Sequence, residues 1–240
     1  MSEEVLIEDV GHVRWITLNR PEVMNSITGD MLAGLNEAFK DADDDQYVRV
    51  VVVTGAGRGF CAGLDLKQAA QGEGIGGAGL ASAGARHYST REICTVTLQR
   101  MDTPVIAAVN GVAAGYGLDL ALGCDMRIMS DKAILMPGFA KMGVVPESGG
   151  TWYLPRLLGW AKACEVAMLG DTLNAVQAKE YGLVHLSGTY SDIGTLDTHT
   201  LSVDWGDGNV GKYIYGAGDT EFEETHRYLD DGVYTIDVTL

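Results

Sequence analysis

Up to about residue 184, short apolar runs of strand length alternate with segments of helical period, and this alternation constrains the fold more than any single motif. The runs "VRWITLN", "VRVVVVTG" and "TPVIAAVNG" are interleaved with "ITGDMLAGLNEAFKDAD" and "GLDLALGCD". Strands separated by helices imply crossover connections, and therefore an α/β fold. Beyond "YGLV" the texture changes to short alternating runs, "HTLSVDWGDG", "GKYIYGAG" and "GVYTIDVTL", joined by glycine-rich turns. That pattern predicts antiparallel β hairpins. Asn174 is placed to cap, and Gly182 to stop, a helix in "NAVQAKEYGLV", so a boundary is expected near Val184. The expected organisation is an α/β domain over 1–184 followed by a small all-β segment over 185–240.

The chain carries a net charge of −16, unevenly spread: from His185 onward there are 11 acids and 2 bases, a net of −9, against −7 for the longer first part. Such a balance argues against a nucleic-acid partner, because no basic stripe is present to displace counterions from phosphates. The opening "MSEEVLIEDVG" lacks a basic-then-apolar leader pattern, and no apolar run nears the roughly 20 residues that cross a bilayer. A cytoplasmic chain with a small-molecule partner and no membrane contact is the expectation. Cys61, Cys94, Cys124 and Cys164 are far apart, with no C-x-x-C pair, and read as reduced, mostly buried thiols. The histidines are equally scattered, so no metal site is expected.

Two strands run into glycine-rich loops, "VVVVTGAGRGFCAGLDL" and "VIAAVNGVAAGYGLDLALGCD". A dinucleotide fingerprint needs G-x-G-x-x-G entering a helix, and Phe60 stands where the third glycine belongs. Taken alone, these glycines serve equally well as tight turns. In the second loop Gly115 and Gly117 flank Tyr116 at the start of a helical segment, where free backbone N–H groups stabilise negative charge. A further N–H brought opposite by the first loop would complete an oxyanion hole for a thioester enolate.

"LNRPEVMNSIT", "GRGFCAGLDL", "TPVIAAVNGVAAGYGLDLALGCDMRI" and "GVVPESGGTWYLPRLLG" occur in the order and approximate spacing of the crotonase, or enoyl-CoA hydratase/isomerase, superfamily, which residues 5–184 resemble. The resemblance implies a spiral of ββα units that binds an acyl-CoA thioester, with coenzyme A as part of the substrate and no separate cofactor. It implies backbone donors at Leu64 and Tyr116, with Ala62, Gly63 and Gly115 lining the substrate. It also implies a homo-oligomer, although the C-terminal helices that crotonases use to build trimers are not recognisable in this sequence.

Carboxylates decide which reaction such a hole serves, since a proton must be moved by a positioned acid or base. Hydratases of the superfamily use two glutamates; here the first position is Asp119 and the second is Phe139, which carries no proton. Isomerases of the superfamily work with a single acid in a "G-x-x-P-[DE]-x-G-G" segment, where this chain has Glu147. The apolar flanks "MGVV" and "TWYLP" predict desolvation of Glu147, raising its pKa toward the working pH. Asp119 reads either as a second catalytic acid or as a structural group pairing with an arginine such as Arg127. Asp65 is expected to hold the first loop through backbone N–H groups, and His87 to touch the acyl tail.

The final stretch resembles the later part of a PKD-type β-sandwich repeat, through "DWGDG" and "YLDDGVYT". That resemblance alone implies an extracellular module. Asp204, Asp207 and Asn209 lack EF-hand spacing and read as turn residues. Three function readings stand: an enoyl-CoA double-bond isomerase, an enoyl-CoA hydratase, and, from another class, an inactive fusion or an extracellular β module that spaces or binds.

Overall fold

The computed structural model describes residues 4–65, 67, 94–146, 148–188, 199–204, 210–215 and 237–239. The chain divides into two compact units, Met1–Thr189 and Tyr190–Leu240. The first opens with an antiparallel hairpin, β1 (Val5–Val10) and β2 (Val13–Leu18). Helix α1 (Gly29–Asp44) follows, capped by Thr28, whose side chain accepts from the Met31 N–H at 3.0 Å. Its apolar positions Met31, Leu35, Ala38, Phe39 and Ala42 recur at helical spacing and turn one face into the core. Burying a leucine or phenylalanine of this kind contributes about 1.5–3 kcal/mol. Arg14, itself buried, ties the hairpin to the end of α1 through Asp9 at 2.8 Å, Asp41 at 2.7 Å and Asp45 at 3.0 Å.

Then come β3 (Val50–Gly55), β4 (Gly59–Cys61), α2 (Cys94–Leu98), β5 (Val105–Val109), β6 (Val112–Ala114) and α3 (Tyr116–Gly123). They are followed by β7 (Met126–Ser130), β8 (Ile134–Met136), α4 (Phe139–Met142), α5 (Gly150–Leu158) and α6 (Trp160–Leu169). The unit closes with β9 (Leu173–Asn174), α7 (Ala175–Glu180) and β10 (Leu186–Gly188). One sheet has the order β1-β2-β3-β5-β7-β10 and the other β4-β6-β8-β9. Successive strands thus enter alternate sheets, β3 then β4, β5 then β6, β7 then β8, and the chain climbs as a spiral of ββα units. From β2 to β10 the larger sheet is parallel, and Val51, Val52 and Val53 on its inner strand β3 are all buried, while Trp15 on β2 and Met126 and Ile128 on β7 leave part of the Val52 face open.

Asn174 caps α7 as its sequence predicts, and the capping box is complete: Asn174 accepts from the Gln177 N–H at 2.9 Å, and Gln177 returns an acceptor to the Asn174 N–H at 3.0 Å. Beyond it β10 pairs parallel with β7, Leu186 opposite Ile128, so the larger sheet takes its last strand from just past Val184. In the second unit β11 (His199–Asp204) pairs antiparallel with both β12 (Val210–Tyr215) and β13 (Asp237–Thr239). Asp207 and Asn209 lie outside the described residues. Among the described residues no helix is long and apolar enough to cross a membrane.

Candidate active site

The two glycine-rich loops meet at several glycines, among them Gly111, Gly117 and Gly63. Gly63, on the first loop, is the one that faces the start of α3. Its φ is +94°, and a Cβ built there would fall 2.9 Å from the Ala114 carbonyl oxygen and 3.6 Å from the Tyr116 nitrogen. Only glycine fits such a backbone at such an approach. Next to it, Ile27 forms a parallel bridge with Leu64: the Ile27 N–H donates to the Gly63 carbonyl at 2.8 Å, and the Asp65 N–H to the Ile27 carbonyl at 2.9 Å. In extended backbone successive peptide groups face opposite sides, so the Leu64 N–H points away from Ile27.

Across the contact, Gly115 precedes α3 with φ +50° and ψ −117°, leaving Tyr116 as the first helical residue. Its N–H is one of the four that a helix cannot satisfy internally. Among the described residues neither the Leu64 nor the Tyr116 N–H donates a hydrogen bond. Two loops in contact thus carry two open donors, one of them at the positive end of a helix, which is the chemistry of an oxyanion hole. Ala62 is exposed at its edge, while its own N–H is held by the Met24 carbonyl at 2.9 Å.

The bulk of Tyr116 is turned into the core. The residue is buried, and its hydroxyl lies 3.1 Å from Cys94 Sγ on α2. Burial drives its phenol pKa well above the ordinary value and pushes the Cys94 thiol up to about 11. Cys61, Cys94 and Cys124 are all buried free thiols, and Cys164 is half-buried.

Asp119, on the first turn of α3, is fully buried. Its carboxylate lies against the N-terminus of α5, since a Cβ built at Gly150 would fall 2.5 Å from Asp119 Oδ1 and 2.7 Å from the Pro146 Cβ. The helix dipole favours a negative group there. Arg127 does not pair with it: that guanidinium donates to the carbonyls of Leu183 at 2.6 Å, Cys124 at 2.7 Å, Ala121 at 3.4 Å and Leu122 at 3.5 Å. A buried cation at the C-terminal end of α3 satisfies carbonyls that the helix leaves open, and this replaces the expected ion pair with Asp119.

Glu147 and His87 lie outside the described residues. The flanks of Glu147, Pro146 and Ser148, are buried, and the Pro146–Gly150 contacts bring this segment beside Asp119. The preceding apolar stretch departs from its expected burial: Met142, Val144 and Val145 are 59%, 53% and 68% exposed. Val144 and Val145 border an apolar groove of about 410 Å³ between α4, α5 and α6, which they line together with Phe139, Leu154 and Trp160. Phe139 itself is buried at the start of α4. Asp65 holds the first loop as expected, accepting from the Lys67 N–H at 3.0 Å, and it also pairs with Arg20 at 3.0 Å. Sequence reasoning named Cys94 as a buried thiol but missed its contact with Tyr116, and it missed Asn110. The latter sits between β5 and β6 and donates to the carbonyls of Gly55 at 2.8 Å and Gly57 at 2.9 Å, across a separation in sequence that leaves no local signal.

The enoyl-CoA hydratase/isomerase family profile matches residues 8–187. The 1,2-epoxyphenylacetyl-CoA isomerase of Escherichia coli K12 is 42% identical over 184 residues, 77% of this chain and 69% of that relative. A probable enoyl-CoA hydratase of Mycobacterium leprae is 40% identical, over 78% of this chain and 63% of the relative. Among solved structures, a Thermobifida fusca protein in complex with acetoacetyl-CoA superposes with a TM-score of 0.70 at 34% identity, over 78% of this chain and 74% of that one. The chain therefore spans about two thirds of the length of the curated relatives it matches.

Proposed function

Because the chain belongs to the enoyl-CoA hydratase/isomerase family of enzymes, we propose that it acts on an acyl-CoA thioester as a double-bond isomerase, with Glu147 as the proton carrier. The observation that carries this reading is Phe139, a buried aromatic at the position where the resemblance puts the second glutamate of a hydratase. Glu147 takes a proton from C2 of a 3-enoyl thioester, and the electron pair passes through the carbonyl to oxygen as an enolate. The N–H groups of Leu64 and Tyr116 hold that oxygen, while Ala62, Gly63 and Gly115 border it. Return of the proton to C4 gives the conjugated 2-enoyl thioester, with no atom gained or lost. Coenzyme A enters as part of the substrate. The E. coli relative is also named an isomerase, of an epoxide rather than of a double bond.

Hydration is the second reading, favoured by Asp119: a fully buried carboxylate beside the Glu147 segment could help to hold a water. The reading extends to a cytoplasmic protein that self-associates through its exposed apolar groove. The paired strands of the second unit fit a PKD-like β-sandwich fragment acting as a spacer.

The test is absorbance of the conjugated thioester, followed with 3-enoyl-CoA and with crotonyl-CoA. A protein-dependent rise with 3-enoyl-CoA is expected, falling by about 10²–10⁴ in Glu147→Gln while thioester binding persists. A fall with crotonyl-CoA and no rise with 3-enoyl-CoA would make it a hydratase. Neither turnover nor thioester binding would overturn the acyl-CoA reading.

A further inference from the structure

The end of the first arm of the oxyanion hole, residues 59–65, is held chiefly by one short segment, Arg20–Ile27, which lies far from it in sequence, while Asn110 holds the start of the loop. Met24 and Asn25 both adopt left-handed backbone, with φ +57° and +55°, directly after the short turn of helix at Pro21–Val23. That backbone turns the Asn25 side chain, fully buried, onto the turn that leads to Leu64. Its carboxamide is saturated. Oδ1 accepts from the Arg20 N–H at 2.8 Å, and Nδ2 faces the carbonyls of Ala56 at 3.0 Å, Gly59 at 2.8 Å and Phe60 at 3.2 Å.

Every neighbour of this carboxamide leads to the same peptide. The Met24 carbonyl holds the Ala62 N–H, and Ile27 holds Gly63 and Asp65 on either side of Leu64. Arg20 closes the outside, donating to the Ser26 carbonyl at 2.6 Å, pairing with Asp65 at 3.0 Å and with Glu4 at 3.2 Å. Residues 62, 63 and 65 are therefore all pinned by this segment, Ala62 and Asp65 through their N–H groups and Gly63 through its carbonyl, while the Leu64 N–H donates to none of its groups. Nδ2 sits among three converging carbonyls, of which Gly59 is also reached by Asn110 Nδ2 at 3.4 Å; without the Asn25 carboxamide they would lose their nearest donor in a buried space, which costs free energy and favours splaying of the turn.

We propose that Asn25 and Arg20 are positioning residues for the reaction: they fix the direction of the Leu64 N–H and so set how strongly the hole stabilises the enolate. Neither touches the thioester. The inference rests on the acyl-CoA reading above, and its test separates the two. The probe is a conjugated dienoyl-CoA, whose absorbance shifts to the red when donors at the carbonyl oxygen polarise it.

Wild-type protein is expected to bind the probe with a red shift; binding without any shift would remove the hole itself, and with it the basis for positioning. Asn25→Gly keeps the left-handed backbone while deleting the carboxamide. It is expected to lose most of the red shift and about tenfold or more in kcat, with KM little changed, since a displaced donor costs less than the 10²–10³ of a deleted one. Arg20→Gln, which removes only the outer strap, is expected to lose a smaller part of both, and it provides the readout if Asn25→Gly fails to fold. A folded variant of either kind with the full red shift and wild-type kcat overturns the proposal. A KM rise at unchanged kcat and unchanged shift also overturns it, because that pattern belongs to substrate binding.

Discussion

The two arms of the proposed oxyanion hole present the same group, a backbone N–H, and are built in opposite ways. The Leu64 arm is loop, held by polar contacts from Asn25, Arg20 and the Ile27 bridge. The Tyr116 arm is the start of a helix whose residues from Tyr116 to Leu122 are all buried, with the Tyr116 ring anchored by Cys94 and the far end capped by Arg127. One donor is aimed by hydrogen bonds that can be removed singly, the other by a packed core. Damage to the first arm should therefore appear in catalysis before stability, and damage around the second in stability before catalysis.

The largest effect is expected at the contact between the arms. Gly63→Ala puts a methyl group 2.9 Å from the Ala114 oxygen at φ +94°, and should lower kcat by about 10²-fold, close to the loss of one oxyanion donor. Steady-state rates of this variant beside its melting curve check whether activity falls while the fold survives. Tyr116→Phe removes the hydroxyl contact with Cys94 and leaves the backbone N–H in place. It should cost about 1 kcal/mol in denaturant unfolding with kcat near the wild-type value. A rate loss larger than the stability loss would break the comparison.

The smallest effect concerns pH. Burial pushes the Cys94 thiol up to about 11, and Cys61 and Cys124 up to about 12. In the unfolded chain a thiol loses its proton near pH 8.5, while the folded form keeps it, so stability should decline above about pH 8.5 and go on falling to about pH 11–12. Unfolding curves across that range, with Cys94→Ala as reference, should show a shallower alkaline decline in the variant. A thiol reagent at pH 8 should label only Cys164 of the four cysteines until denaturant is added.

The parts of the molecule legible in the sequence are those set by local rules. The α1 face and the Asn174 capping box follow from spacing and cap chemistry, and the α/β crossover organisation from alternating textures, while the ββα spiral comes through family resemblance. The meeting of the two loops that carry the proposed donors Leu64 and Tyr116 was legible through their glycines and through family resemblance, because close backbone approach leaves glycine as its trace. What sequence hid is side-chain chemistry acting between distant segments. Asn25 reads as an ordinary turn residue until its carboxamide is seen among the carbonyls of Ala56, Gly59 and Phe60. Arg127 invites pairing with an acid, yet its partners are carbonyls, which carry no residue identity at all. The exposed run Met142, Val144 and Val145 misleads for a related reason: apolar composition predicts cover only where some other element supplies it.

The most direct test of a two-donor hole is the infrared carbonyl stretch of an acyl-CoA thioester labelled with ¹³C at the carbonyl and bound to the protein. Two aligned N–H donors should move that band to lower wavenumber than in water, and Gly63→Ala should return it toward the free value. A bound thioester whose stretch matches that in water, in protein that is folded and saturated, would contradict the hole formed by Leu64 and Tyr116.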